Sequence, residues 1–277
     1  MIAGGTGKTP VVVWIARSLS DHYRVAILSR GYGRRTKGFQ LLDHHSTPET
    51  VGDEPMEQQF LLPHMLIAVD ENRKHGIQML TSGKYGKIDL ILMDDGFQHR
   101  QVTPGFCLIL DDYNRPMHHE RLLPAGLLRE PLRGLKRANL VVTTKKKIYY
   151  DGSQLDTNNI LLVTGIANAQ PLCDEIVKTA RVCRHLKFPD HHRYTPAEAA
   201  DIREQYNILR RECAAVENSA PPILLTTGKD YVKLNRLSEL ADIPMHRIPF
   251  GPPVDPDEKQ DILNKIHQYV EQTYPNR

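Results

Sequence analysis

The segment Met1-Ile2-Ala3-Gly4-Gly5-Thr6-Gly7-Lys8-Thr9-Pro10 decides how the rest of the chain is read. Gly7-Lys8-Thr9 is the end of a Walker A phosphate loop, and the glycines before it let successive backbone N–H groups turn toward an anion. The strict pattern asks for glycine at position 2, where Ile2 stands. Residues 11–19 continue in helix-compatible apolar order, and Pro10 costs little near a helix start because its missing N–H would have had no partner there. A helix N-terminus therefore points at the loop. Ile2, Ala3, Gly4, Gly5, Thr6, Gly7, Lys8 and Thr9 are the expected nucleotide contacts. Such a loop normally leaves the C-terminal end of a buried strand, and only three residues precede the glycines. The expectation is a missing first strand, from a start placed too late or a fragment. Stability or activity should then fall, because an interior parallel strand supplies both pairing and apolar cover.

Outward from this loop, apolar runs at 24–29, 65–69, 88–93, 106–110 and 140–143 read as strands, separated by helix-like stretches around 56–62 and 73–81. After Lys145-Lys146-Lys147 and a polar stretch to residue 159, a second series begins at 160–164, 181–186, 223–227 and 245–248. Helices at 196–213 and 257–273 are expected to cover that second sheet. The pattern predicts an α/β fold: a P-loop NTPase-like parallel sheet flanked by helices over residues 1–155, its first strand missing, and a smaller C-terminal α/β domain over 156–277.

The composition fits this class. Apolar residues make up 40%, charged residues 25% and aromatics 6%, which excludes collagen, a coiled coil and low-complexity disorder. A formal net charge of +3 is too balanced for a protein whose affinity rests on phosphate neutralisation along nucleic acid, and nothing implies a protein partner. Cys107, Cys173, Cys183 and Cys213 show no CxxC spacing, which argues against a zinc ribbon or redox site and for a reducing compartment. No run reaches the length of a bilayer span.

The segment Ile88 to Gly96 ends in Asp94-Asp95, the form of a Walker B strand that holds Mg²⁺ directly or through water. With the phosphate loop it predicts a Mg-nucleotide site. Thr227-Gly228-Lys229-Asp230 has the wrong spacing for a guanine-reading motif, so a GTPase is disfavoured. Val51-Gly52-Asp53-Glu54-Pro55 places two acids at a loop-to-helix start, where such a pair is commonly an N-terminal helix charge. Phe188-Pro189-Asp190-His191-His192 reads as a solvated loop or an incomplete metal site. Arg73 follows Asp70-Glu71-Asn72, and Arg129-Glu130 follows the turn Leu123-Pro124-Ala125-Gly126.

Taken in order, these segments resemble the tetraacyldisaccharide 4′-kinase family of lipid A biosynthesis. The likeness is carried by Gly4–Pro10, Ser29–Arg34, Val51–Pro55, Met93–His99, Leu123–Gly126, Leu128–Pro131 and Phe188–His192, and spans residue 2 to about residue 235. That family's phosphate loop also lacks the first glycine. The family normally begins with a membrane-associating helix and the first core strand, and it carries Glu where Gly228 stands, so the 226–230 segment is given no role.

The resemblance implies ATP-dependent phosphorylation of the 4′-hydroxyl of a tetraacyldisaccharide 1-phosphate. ATP and Mg²⁺ are the cofactors, and a glycolipid at the membrane surface is the partner. Lys8 and the loop amides would hold the β- and γ-phosphates. Thr9, Asp94, Asp95, Gln98 and Glu54 would surround the metal, and Asp53, supported by His191, would accept the hydroxyl proton. Arg73, Arg129 and Glu130 would position phosphates or neighbouring side chains at the rim. Basic Arg30, Arg34, Arg35 and Lys37 fit a membrane surface or the substrate's 1-phosphate. The expected location is the cytoplasmic face of the bacterial inner membrane, or the soluble cytoplasm if the N-terminal segment is absent. The competing readings are a soluble P-loop kinase or ATPase acting on a small metabolite, and an inactive nucleotide-binding fragment.

Overall fold

Strand β1 (Val25–Ser29) is buried along its whole length because both of its faces are covered. Val25 and Ile27 pack with Val11, Ile15 and Leu19 of helix α1 (Lys8–Leu19), while Ala26 and Leu28 pack on the opposite side with Leu80. The alternation is the two-residue period of a strand between two helical layers. The computed structural model that shows this describes residues 7–113, 115–144, 157–178, 180–248, 251–252 and 254–274.

After β1 come a short strand β2 (Gln40–Leu41), the one-turn α2 (Pro48–Val51), α3 (Asp53–Leu61), β3 (Leu66–Val69), α4 (Arg73–Thr81) and β4 (Leu90–Met93). β1 pairs in parallel with β3 on one side and β4 on the other, and β2 closes the β3 edge antiparallel, giving the order β2-β3-β1-β4. Gly76 lets α4 lie close on β1, since a Cβ there would stand 2.9 Å from Leu28 Cδ1. β5 (Leu108–Asp112) and β6 (Leu140–Thr144) pair in parallel as a separate two-stranded sheet.

The second sheet is parallel throughout, in the order β10-β9-β7-β8, built from β7 (Asn159–Thr164), β8 (Arg181–Lys187), β9 (Ile223–Thr226) and β10 (Met245–Arg247). Helix α5 (Gln170–Ile176) buries Leu172 and Ile176 against Ile160 and Leu162 of β7, and α6 (Pro196–Ala214) buries Ile202, Tyr206 and Leu209 against Leu161 and Val163. A reciprocal capping box starts α6: the Thr195 hydroxyl accepts from the Glu198 amide at 3.2 Å, and the Glu198 carboxylate accepts from the Thr195 amide at 2.8 Å. Helix α7 (Gly228–Leu234) follows β9, and α8 (Pro256–Thr273) follows β10.

Two contacts differ from the sequence expectation or go beyond it. Helix α8, expected on the second sheet, packs on the first: Ile262, Ile266 and Val270 join the core of Val11, Ile15 and Ile27. Tyr23 Oη also lies 3.2 Å from His267 Nδ1. An i, i+4, i+8 stripe states that a helix buries one side but not which sheet receives it, and α5 and α6 already cover the second sheet. In addition, α3 meets α7 so closely that a Cβ on Gly228 would stand 1.9 Å from Glu57 Oε1. This contact joins the two halves beside the candidate site. The expected division near residue 155 falls in 145–156, outside the described residues.

Candidate active site

The site lies at the C-terminal ends of β1 and β4, where open parallel sheets receive ligands. Gly7, at φ 75°, caps α1 in the left-handed region that glycine tolerates, and its carbonyl accepts from the Val11 amide at 3.3 Å. Lys8 and the buried Thr9 therefore sit in the first turn of α1. Ile2, Ala3, Gly4, Gly5 and Thr6 lie outside the described residues.

Asp94 and Asp95 follow β4 directly. The Asp94 amide continues the β1 pairing to the Leu28 carbonyl at 3.1 Å, and its buried carboxylate accepts from Gln58 Nε2 at 2.7 Å. Burial, reinforced by the neighbouring Glu54 charge and opposed by Lys8, pushes the Asp94 carboxyl up to about 6. Asp95 adopts φ 51° and turns the other way. Its carboxylate lies 3.5 Å from Lys8 Nζ and 2.6 Å from Arg129 Nη1. Burial would raise its pKa, but Lys8 and Arg129 hold it below the ordinary value. Lys8 and the Asp94-Asp95 pair, the expected phosphate-loop lysine and Walker B acids, thus meet at one edge of the sheet.

The second acid pair opens α3. Gly52 precedes it at φ 98°, where a Cβ would meet the Tyr32 carbonyl at 2.9 Å, so glycine lets the helix start press against the 31–33 loop. Asp53 Oδ2 lies 3.2 Å from His191 Nδ1 and 3.1 Å from Lys233 Nζ. Burial raises the Asp53 pKa, yet the His191 hydrogen bond and the Lys233 ammonium bring it below the usual carboxylate value. The same hydrogen bond raises the His191 pKa against the effect of burial. Glu54 is engaged by Lys229 Nζ at 2.6 Å. Its expected place in a metal shell is therefore taken, in this arrangement, by a lysine. Gln58, one turn further along the same helix, donates to Asp94.

The two adjacent histidines do different things. His191 turns toward Asp53 at φ 56°, with the Tyr32 ring packed edge-on and the two ring centroids 5.5 Å apart. His192 stacks on Phe188 and hydrogen-bonds Glu198 at 2.9 Å, so it braces the loop against α6.

The arginines depart most from expectation. Arg73 is not at a rim: it is 2% exposed, with its guanidinium turned beneath the strand ends toward the carbonyls of Asp70 and Asp94, and burial pulls its pKa down to about 10. Its place at the first position of α4 directs the side chain back under the sheet edge rather than into solvent. Glu130 is also buried, receiving Arg137 at 2.5 Å, Arg100 at 3.3 Å and Gln98 Nε2 at 3.4 Å. Arg129 keeps the exposed rim position. Of the basic loop, Arg34 is consumed by Glu71 and the Gly38 carbonyl, its side chain 4% exposed. A groove of about 640 Å³ opens beside these groups, lined by Lys74, Gln98, His99 and Arg100 among others.

Sequence reasoning gave no role to the 226–230 segment, and it missed Lys229 and Lys233, which α7 delivers to the Asp53–Glu54 pair. The available signal was their i, i+4 spacing just after a buried strand, with Thr227 capping the helix by accepting from the Asp230 amide at 3.3 Å.

With this geometry established, comparison with known proteins is specific. A family model described as Tetraacyldisaccharide-1-P 4′-kinase matches residues 1–157 and 149–268. A tetraacyldisaccharide 4′-kinase of Bacteroides thetaiotaomicron is 32% identical, covering 96% of this chain and 80% of that protein. One of Parabacteroides distasonis is 34% identical, covering 88% and 75%. A crystal structure described as the "apo" form of LpxK from Aquifex aeolicus in complex with ATP superposes with a TM-score of 0.70 and 26% identity, covering 98% of this chain and 86% of that one.

Proposed function

The chain belongs to the tetraacyldisaccharide-1-P 4′-kinase family, and from that premise we propose that it transfers the γ-phosphoryl group of ATP to the 4′-hydroxyl of a tetraacyldisaccharide 1-phosphate. One observation carries the reading at the level of residues. Gln58 of α3 donates to Asp94 at 2.7 Å, so the helix that opens with Asp53 also contacts the acid at the end of β4, beside Lys8 and Asp95.

Lys8 and the amides at the start of α1 bind the terminal phosphates, with the lysine exchanging Asp95 for phosphate oxygens. Thr9, Asp94, Asp95 and Gln98 suit a magnesium ion. All offer oxygen, and Gln98 Oε1 is buried without a hydrogen-bond partner among the described residues. Such an ion would complete its shell with nucleotide oxygens and water. When bound, Mg-ATP supplies the transferable phosphoryl group and the cation that offsets its charge. Arg129, at the rim beside Asp95, adds a positive charge where negative charge develops.

Asp53 accepts the hydroxyl proton at a carboxylate oxygen. Its pKa, held low by His191 and Lys233, keeps it ionised at neutral pH. A carboxylate takes a proton from an alcohol only as the new P–O bond acidifies the hydroxyl, so the transfer is late. His191 Nδ1, on Asp53 Oδ2, orients the carboxylate through that step. No described helix is long and apolar enough to cross a membrane. Because the acyl chains of the acceptor stay with a bilayer, we place the reaction at the cytoplasmic face of the inner membrane, with the enzyme acting peripherally.

The test is ATP turnover by the full chain with the acylated disaccharide 1-phosphate in detergent micelles. Acceptor-dependent ADP release and a doubly phosphorylated product are expected. ADP release indifferent to the glycolipid would overturn the assignment.

A further inference from the structure

Lys233 is more deeply placed than any lysine a surface helix needs. Its side chain is 7% exposed, and its Nζ lies 3.1 Å from Asp53 Oδ2, 3.0 Å from the His192 carbonyl and 3.4 Å from Asp230 Oδ1. The Tyr194 ring forms a further wall, its centroid 5.6 Å away. Asp53 and the His192 carbonyl accept hydrogen bonds and Asp230 adds an ion-pair contact, which together leave the ammonium little freedom to turn.

These oxygens belong to separate parts of the fold. Asp53 starts α3 on the first sheet. The His192 carbonyl belongs to the loop after β8, one residue beyond the imidazole that meets Asp53. Asp230 is tied into the second sheet, its other oxygen accepting from the Gly165 amide at 2.8 Å and the Thr227 hydroxyl at 2.7 Å. One cation therefore touches the carboxylate directly and the histidine loop through its backbone, while being anchored to a fixed point on the second sheet. Other basic side chains also cross between the halves, but differently: Arg193 reaches the Gly33 carbonyl at 3.0 Å and Arg236 the Ser46 carbonyl at 2.8 Å, neither touching Asp53.

We propose that Lys233 is a positioning residue for phosphoryl transfer, holding the Asp53 carboxylate and the His191 loop in register across the two halves of the molecule. The inference rests on Asp53 being the proton acceptor. It adds that the acceptor's placement depends on a lysine of the second sheet, 180 residues away in sequence.

Steady-state kinetics of Lys233→Met tests it, with Arg236→Met as the comparison for a cross-half contact that does not reach Asp53. Misplacing a reacting group by about 1 Å costs roughly 100-fold, so kcat should fall by about that factor in Lys233→Met, with KM for ATP and for the acceptor within roughly twofold. Arg236→Met should keep kcat. Because Lys233 acts through Asp53, adding Lys233→Met to Asp53→Asn should lower kcat no further. In Lys233→Ala, ethylammonium should restore activity where equimolar ethanol and sodium chloride do not. Wild-type kcat in Lys233→Met while Asp53→Asn is inactive overturns this proposal alone; full activity in Asp53→Asn overturns the proton-acceptor reading beneath it. An equal loss in Arg236→Met, or a further loss in the double variant, also overturns it. Should Lys233→Met fail to fold, Lys233→Arg keeps the charge and alters its reach, and the same fall in kcat at constant KM is expected; unchanged kcat there counts against the proposal.

Discussion

The acids that end β4 and the acids that begin α3 are both sequence neighbours, yet different parts of the chain hold them. Asp94 and Asp95 take their partners, Gln58, Lys8 and Arg129, from the first 130 residues. Asp53 and Glu54 take theirs, His191, Lys229 and Lys233, from the loop after β8 and from helix α7 of the second half. In each pair the fold separates the two members. Asp94 is buried with its pKa raised, whereas Asp95 is held low between two cations. Asp53 is enclosed by a histidine and a lysine, whereas Glu54 meets its lysine at a half-exposed surface. The contrast suggests a division of labour: nucleotide and metal are handled within one half, and the acceptor hydroxyl is handled where the halves meet.

The strongest test of that division compares Asp53→Asn with Lys8→Ala. Asp53→Asn should cut kcat by roughly 10³-fold and leave ATP binding intact, because only proton acceptance is removed. Lys8→Ala should lower kcat by roughly 10²–10³-fold and also weaken ATP binding, because its charge acts on ground state and transition state alike. Identical kinetic signatures would erase the distinction. A finer contrast lies within the histidine pair: His191→Ala should lose roughly 10- to 100-fold in kcat, while His192→Ala should lose stability in urea and keep its turnover.

Much of this was legible in sequence. Each strand expected from an apolar run was found within a few residues of its place, and Asp94-Asp95 stands, as motif geometry expects, at the end of β4 with Lys8 nearby. The second pair was not. A lysine on a short helix carries no mark of a carboxylate on another sheet, so Lys229 and Lys233 became visible only once α7 was seen against α3. Arg73 and Arg34 were misjudged for a related reason: a long cationic side chain reads as solvent-facing unless the carbonyls, or the carboxylate of Glu71, that receive it are known. The destination of α8 was hidden because a stripe of apolar residues does not name its receiver.

The joint between the halves offers smaller effects. Gly228→Ala places a methyl against the Glu57 carboxylate and should destabilise the protein by about 1–3 kcal/mol while lowering kcat, read by denaturant melts and turnover together. Glu57 itself gives a pH signature. Burial pushes its carboxyl up from 4.5 to about 7, against the pull of Lys229 and Arg247. The folded state thus binds this proton more tightly than the unfolded chain, so the favourable contribution is complete below pH 4.5 and is lost as pH rises through 7. Glu57→Gln cannot ionise and should recover roughly 3 kcal/mol at pH 8 and little at pH 4, read as a flatter dependence of melting temperature on pH.

Helix α8 gives the molecule an unusual covalent layout. The chain leaves the first core after β6, builds four strands elsewhere, and then returns to lay Ile262, Ile266 and Val270 on the core it left. The second sheet is thereby tethered at both its entrance and its exit, like an insert stitched along two seams. Severing the backbone once between β6 and β7 would leave the downstream fragment still gripped through its final helix, so the two pieces should travel together on native size exclusion and part only in denaturant.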